Sequence, residues 1–217
     1  MTGHDRASAA PAKRPTLPRT FFERSPLLVA PDLLGCEVES VVDGEVVRGR
    51  IVECEAYLGA HDPGSHAATK GMTPRNAAMY GPPGSIYVYF TYGNHFMLNL
   101  VCEAEGSAGA VLLRGLEPVS GIEVMRTRRR GRDLRELCNG PGKLARALGV
   151  DISDNRSLLG EGRLRVYAGV LGDAEHVDVS GRVGLSRGDE LPYRCFVRGN
   201  PHVSRGPAGR TARSTER

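Results

Sequence analysis

The sequence predicts an α+β domain, a curved and mainly antiparallel β-sheet flanked by helices in one unit. Three observations carry this. Segments of period-two alternation recur in close succession, Asp43-Gly44 marks a tight hairpin between the first two, and the helical patterns are short and few. Taken in order, residues 1–16, rich in Ala, Pro and charge, read as a disordered arm. Residues 21–34 read as partly helical, with Pro31 and Asp32 suiting a helix start before the apolar Leu33 and Leu34. Strands follow at 37–42, 45–57, 86–90, 95–102 and 110–115. Helices are expected at 120–129 and 142–148, and late strands at 164–168, 183–185 and 193–198 complete the sheet. Residues 205–217 read as a disordered basic tail. No repeat or linker divides residues 17–204, and a chain of 217 residues can bury a full core as one domain.

Chemistry concentrates on the second strand, GRIVECEAYLG at residues 49–59. Alternation puts Ile51, Glu53, Glu55 and Tyr57 on one face and Val52, Cys54 and Ala56 on the other. Two carboxylates and a tyrosine on one face are unusual, because an unpaired buried carboxylate is costly. An edge strand with one wet face is the plain alternative. The next strand, SIYVYF at 85–90, turns Tyr87 and Tyr89 to one side, and Tyr92 follows just before Gly93. Four of the seven tyrosines fall within residues 80–92, and there is no tryptophan. Buried phenols need partners, and a pocket that stacks a flat, electron-poor ring uses them well. Half-buried tyrosines on an ordinary strand are the rival explanation.

Composition excludes several classes. The five cysteines, Cys36, Cys54, Cys102, Cys138 and Cys195, are odd in number and scattered, without a CxxC pair. That pattern predicts reduced thiols in a cytosol-like compartment, with no metal site and no cofactor. No apolar run reaches membrane-spanning length and the N-terminus lacks a signal-peptide core, so no membrane partner is expected. Net charge is only +4, but Arg126, Arg128, Arg129, Arg130, Arg132 and Arg135 crowd one segment. Such a run suits phosphate contacts, although solvated loop arginines would look the same. CNGPGKLARALGV, residues 138–150, places a tight turn ahead of an apolar helix. The N–H groups around Gly142 and Lys143 then suit a phosphate. It is not a Walker A loop, since Leu137 and Leu144 stand where Gly and Ser/Thr belong.

Together these segments resemble the alkyladenine (3-methyladenine) DNA glycosylase family, the type found in mammals, plants and many bacteria. The resemblance rests on RGRIVECEAYLG, the downstream His66, TPRN at 73–76, PPGSIYVYFTYGNHFMLN, AVLLRGLEP, LCNGPGKL and the C-terminal FVRGNP, in register over residues 21–204. It implies a fold like that of the formyltransferase C-terminal domain. It also implies a monomeric enzyme of base-excision repair, cytoplasmic and nucleoid-associated in a bacterium or nuclear in a eukaryote. The partner implied is double-stranded DNA containing alkylated or deaminated purines, which are flipped out and hydrolysed to leave an abasic site. Glu55 matches the glutamate that deprotonates the attacking water, and Arg114 the arginine that helps hold it; Glu53 is left with a structural ion pair. Tyr57, His66 and Tyr89 match the residues that sandwich the flipped base, with the His66 N–H facing a base acceptor. Asn99 matches the residue that crowds the guanine 2-amino group, and Tyr92 the side chain inserted into the duplex. Lys143, Gly142, Arg126, Arg128 and Arg129 are the expected DNA-backbone contacts.

Two positions depart from the family pattern. Asn94-His95 replaces an aromatic-containing pair common in mammalian members, and His202 stands where a tryptophan often occurs. Both are expected near the DNA surface. The rival of a different class is a non-catalytic nucleic-acid-binding module of the same fold. Such a module would have no use for Glu55, Arg114 and the tyrosines together. A nucleobase deaminase would need H-x-E and P-C-x-x-C, and neither is present.

Overall fold

The computed structural model describes residues 14–91 and 93–206. The expected arm and tail therefore fall largely on residues 1–13 and 207–217, outside the described residues, as does Tyr92. Residues 14–16 lie along the domain: Thr16 bridges to Tyr167, and the Ala168 N–H donates to Pro15 O at 3.0 Å.

After α1 (Arg19–Phe22), α2 spans Pro26–Asp32. Ser25 caps α2 and Pro26 occupies its first turn, where a missing N–H costs nothing. Pro31 lies inside this helix, so the start expected at Pro31-Asp32 is really its last turn; the Ser25-Pro26 pair is the operative signal. β1 (Glu37–Val42) and β2 (Glu45–Tyr57) form the expected hairpin. Asp43 and Gly44 there have φ of 54° and 79°, as a primed turn requires. α3 (His66–Lys70) leads on to β3 (Ile86–Thr91), β4 (His95–Val101) and β5 (Ala110–Ser120). Then come α4 (Ile122–Arg128) and α5 (Pro141–Leu148). β6 (Leu164–Tyr167), β7 (Val177–Ser180) and β8 (Arg194–Val197) follow. The strand expected at 183–185 is absent: those residues form bends, and the strand lies earlier, at β7, where it pairs with β8.

All pairings between these strands are antiparallel, in the order β3-β4-β5-β2-β1-β6, with β8 joining β2 and β7 joining β8. β2 is therefore interior where it carries the carboxylates, with β5 on one side and β1 then β8 on the other. This corrects the wet-edge alternative: Glu53 and Glu55 are both 0% exposed. Register shifts interrupt the β2–β5 ladder between Ile51 and Glu53 and between Glu53 and Cys54. Such bulges bend a strand and re-aim its side chains. Ile51, expected beside the carboxylates, accordingly joins Val52, Cys54 and Ala56 in the main core. Core residues from α2, α4 and α5 also pack there. A smaller cluster, including Met79, Tyr87, Val101 and Ala110 and bordered by Tyr57 and Tyr89, holds a separate apolar site. That second cluster is where the cleft opens.

Candidate active site

Among the described residues, seven donor bonds reach the β2 carboxylates. Glu55 Oε1 accepts the Val183 N–H at 2.7 Å, while Oε2 accepts the Tyr57 hydroxyl at 2.9 Å and Arg114 Nη1 at 3.2 Å. Glu53 Oε1 accepts from Arg114 Nε (3.0 Å), Arg194 Nε (2.7 Å) and Ser204 Oγ (2.8 Å), and its Oε2 accepts the Ser204 N–H. Arg114 thus bridges both carboxylates. Two acids and two arginines share one buried hub, which removes the net charge that burial would penalise. Burial works against the Arg114 charge, but Glu55 and Glu53 outweigh it and raise the guanidinium pKa. Burial, followed by the negative Glu55, lifts the Tyr57 phenol well above its ordinary pKa, so it remains a hydrogen-bond donor.

The cleft in front of this hub is lined by Tyr57, Gly64, His66, Met79, Tyr87, Tyr89, Asn99 and Leu185. Its mouth adds Thr91, Met97, Leu112, Arg114, Pro141 and Val183. All three donors to Glu55 border that mouth, which places the carboxylate directly behind them. Period two on β3 delivers Tyr87 and Tyr89 together, their ring centroids 5.2 Å apart. The His66 ring meets Tyr89 edge-on at 4.7 Å, and its Nδ1 lies 2.9 Å from the Tyr87 hydroxyl. Burial, helped by Arg75, holds the His66 pKa below its usual value, favouring neutral imidazole.

TPRN has a specific task here. Asn76 is 2% exposed, and its Nδ2 donates to His66 O and Gly71 O at 2.9 Å each. Its Oδ1 accepts the Thr73 N–H at 2.6 Å. The motif clamps the loop that presents His66. His66 is the first residue of α3, so its N–H has no intrahelical partner. Asn99 sits opposite Tyr87 in the β3–β4 ladder and donates to Tyr87 O at 3.0 Å, which fixes its amide against the cleft wall.

The expected backbone contacts separate. Gly142 packs against His95, where a Cβ would fall 2.6 Å from the ring, so only glycine allows α5 to start there. Lys143 Nζ donates to Asn139 Oδ1 at 2.7 Å, beside the mouth residue Pro141. Arg126 pairs with Glu123 on its own helix. Arg128 donates to Ala147 O at 3.2 Å, at the far end of α5, and Arg129 to Leu137 O at 3.1 Å and Glu136 O at 3.3 Å. Asn94 is exposed at the β3–β4 turn. His202 is buried, 6% exposed, with its carbonyl pressed toward Gly115. It does not line the cleft.

Sequence reasoning offered Tyr87 to a stacking pocket but left it out of the base-binding set, and it did not single out Arg182, Arg194 or Ser204 as supports of the cleft. Tyr87 shares the Tyr89 face and was open to the same argument. Arg182 and Ser204 lie in loops, where no periodicity exists to draw attention to them, and Arg194 opens β8 within an expected strand.

Comparison with known proteins identifies the family. The profile of the family described as methylpurine-DNA glycosylase (MPG) matches residues 20–201. A protein of Chlorobaculum parvum named "Putative 3-methyladenine DNA glycosylase" is 50% identical over 186 residues, covering 85% of this chain and 88% of its own. Its namesake in Carboxydothermus hydrogenoformans is 45% identical over 190 residues, 87% of this chain and 98% of its own. Another in Koribacter versatilis is 44% identical over 193 residues, 87% and 92% of the two chains. With a buried carboxylate hub behind an aromatic cleft and a family match along nearly its whole described length, this chain belongs to the methylpurine-DNA glycosylase family and is a DNA glycosylase.

Proposed function

We propose that this glycosylase flips alkylated or deaminated purines (3-methyladenine, 7-methylguanine, hypoxanthine, ethenoadenine) out of duplex DNA and hydrolyses their N-glycosidic bond without cutting the strand. The observation that carries the reading is Glu55, fully buried, with Oε2 doubly occupied by Tyr57 and Arg114 and, among the described residues, Oε1 by one N–H. Each carboxylate oxygen has two acceptor positions, so Oε1 retains one for a water. As the C1′–N bond breaks and the sugar becomes oxocarbenium-like, that water adds to C1′ and its proton passes to Glu55. The purine leaves with the bonding electron pair, most easily when alkylation has already made it cationic. Arg114, bonded to Oε2, helps aim Glu55.

The base stacks against Tyr57 on one side and His66 and Tyr89 on the other, with Tyr92 filling the gap it leaves in the duplex. The His66 N–H pairs with an acceptor on hypoxanthine or a damaged adenine. It meets the amino group of intact adenine donor to donor, which rejects the normal base. Asn99 crowds the 2-amino group of guanine. A water nucleophile also fits the lysines. Lys143 is held by Asn139 and Lys13 lies outside the described residues, which leaves Lys70 as the rival amine for a Schiff base.

The test is a labelled duplex with a single hypoxanthine, incubated with the protein and then treated with alkali. Breaks at the lesion only after alkali are expected, with no borohydride-trapped adduct. A trapped adduct would overturn the water mechanism. Intact strands after alkali with hypoxanthine, 3-methyladenine and 7-methylguanine duplexes alike would overturn the proposed function.

A further inference from the structure

Arg182 is more deeply buried than either Arg114 or Arg194, and the hydrolysis makes no use of it. It stands behind the cleft wall. Its guanidinium carbon lies 4.7 Å over the Tyr57 ring and 5.1 Å over Tyr193. A Cβ on Gly64, another wall residue, would fall 2.5 Å from its Nη2, so the wall closes tightly on the cation. Nη1 donates to Ala56 O at 2.9 Å and Asp62 Oδ2 at 2.6 Å; Nη2 donates to Asp62 Oδ1 and to Gly188 O at 3.1 Å.

Stability alone accounts poorly for this arrangement, because well-packed apolar groups often match a buried ion pair. Location accounts for it better. An aromatic ring holds a cation through the negative potential of its faces. A permanent cation on the outer face of Tyr57 opposes a second one on the inner face. Asp62 offsets only part of this, since its carboxylate meets the edge of the guanidinium in a two-pronged pair.

We infer that Arg182 is a specificity-determining residue of this glycosylase: its charge behind Tyr57 weakens the stacking of cationic alkylated purines and shifts the cleft toward neutral, deaminated ones. This rests on the proposed excision of both classes at the same cleft. Arg182 also precedes Val183, whose N–H holds Glu55. Substitution there disturbs catalysis on every base, so the ratio between bases isolates the effect of the charge.

Single-turnover excision is measured on two otherwise identical duplexes, one carrying cationic 7-methylguanine and the other neutral hypoxanthine. Arg182→Gln and Arg182→Lys both lose the two-pronged bond to Asp62, but only the lysine keeps a cation. The expected 7-methylguanine-to-hypoxanthine rate ratio rises about fivefold in Arg182→Gln, the scale of one cation–π interaction, and stays within about twofold of wild type in Arg182→Lys. If Arg182→Gln does not fold, Asp62→Asn takes its place; it keeps the cation, removes the counter-charge and lowers the ratio. Equal ratios in wild type and all folded variants, or the same shift in the glutamine and lysine variants, overturn the inference while the proposed function stands. Wild-type protein that releases neither base overturns both.

Discussion

Glu53 and Glu55 on β2 and the arginines of residues 126–135 are two concentrations of charge in this fold, and it treats them oppositely. The carboxylates are fully buried and each oxygen is bonded to a named donor. The arginines lie at the periphery, and their uses diverge: Arg128 and Arg129 hold backbone carbonyls, Arg126 pairs within its helix, and Arg130, Arg132 and Arg135 are exposed. A buried charge must be satisfied, so its position implies a purpose. An exposed charge is tolerated anywhere, so clustering alone implies little.

The sharpest test of the buried side separates its two acids. Glu55→Gln keeps the side chain's shape but removes the base that takes the water's proton, so excision should fall by about a thousandfold or more in single-turnover assays. Binding to lesion duplex should persist, because the stacking rings are untouched. Near-normal excision by this variant would dissolve the distinction between the two carboxylates.

Glu53→Gln should act on the fold instead. It leaves Arg194 without its carboxylate and Arg114 with only Glu55, and breaking a buried pair in this way costs about 3–5 kcal/mol. Denaturant unfolding would register that as a lower midpoint at unchanged slope. A variant as stable as the parent would mean that Ser204 and solvent can carry the load now assigned to Glu53.

Legibility in the sequence follows the same divide. The hairpin at Asp43-Gly44, the full length of β2 and the Tyr87/Tyr89 face were all readable, because period two and positive-φ turn residues are local signals. The bulges that move Ile51 into the core were not, since a register shift depends on the partner strand. β7 was missed and a strand placed at 183–185 for a related reason. Short edge pairing follows from what lies beside it, and Val183 has another use, in which its N–H holds Glu55. Within the site, Glu55, Tyr57, His66, Tyr89, Asn99 and Arg114 are brought together. Arg182 and Ser204 reach that site from distant loops, through contacts more than a hundred residues apart in the chain that no sequence window contains.

A smaller effect is expected at Asn99, on the cleft wall between these extremes. If its amide excludes guanine by crowding, Asn99→Ala should raise excision of guanine relative to hypoxanthine by about tenfold, the scale of one modest steric discrimination. The variant also loses the bond to Tyr87 O, which should lower both rates together without moving the ratio. An unmoved ratio would leave Asn99 a structural residue of the β3–β4 ladder and nothing more.

The smallest effects belong to the arginine segment, where they test whether clustered charge has one purpose or two. Arg129→Ala should cost about 0.5–1.5 kcal/mol of stability, because the Leu137 and Glu136 carbonyls lose their donor, with little change in affinity for DNA. Arg130→Ala should do the reverse. Its side chain is exposed beside the same turn, so stability should hold within about 0.5 kcal/mol. If it meets a phosphate, affinity should fall equally for lesion and undamaged duplexes, and the slope of log affinity against log salt should flatten by about 0.9. Measuring both variants by thermal unfolding and by salt-dependent binding separates the roles. The same salt slope in the parent and in both variants would place the DNA path away from this segment, toward Lys143 and the start of α5.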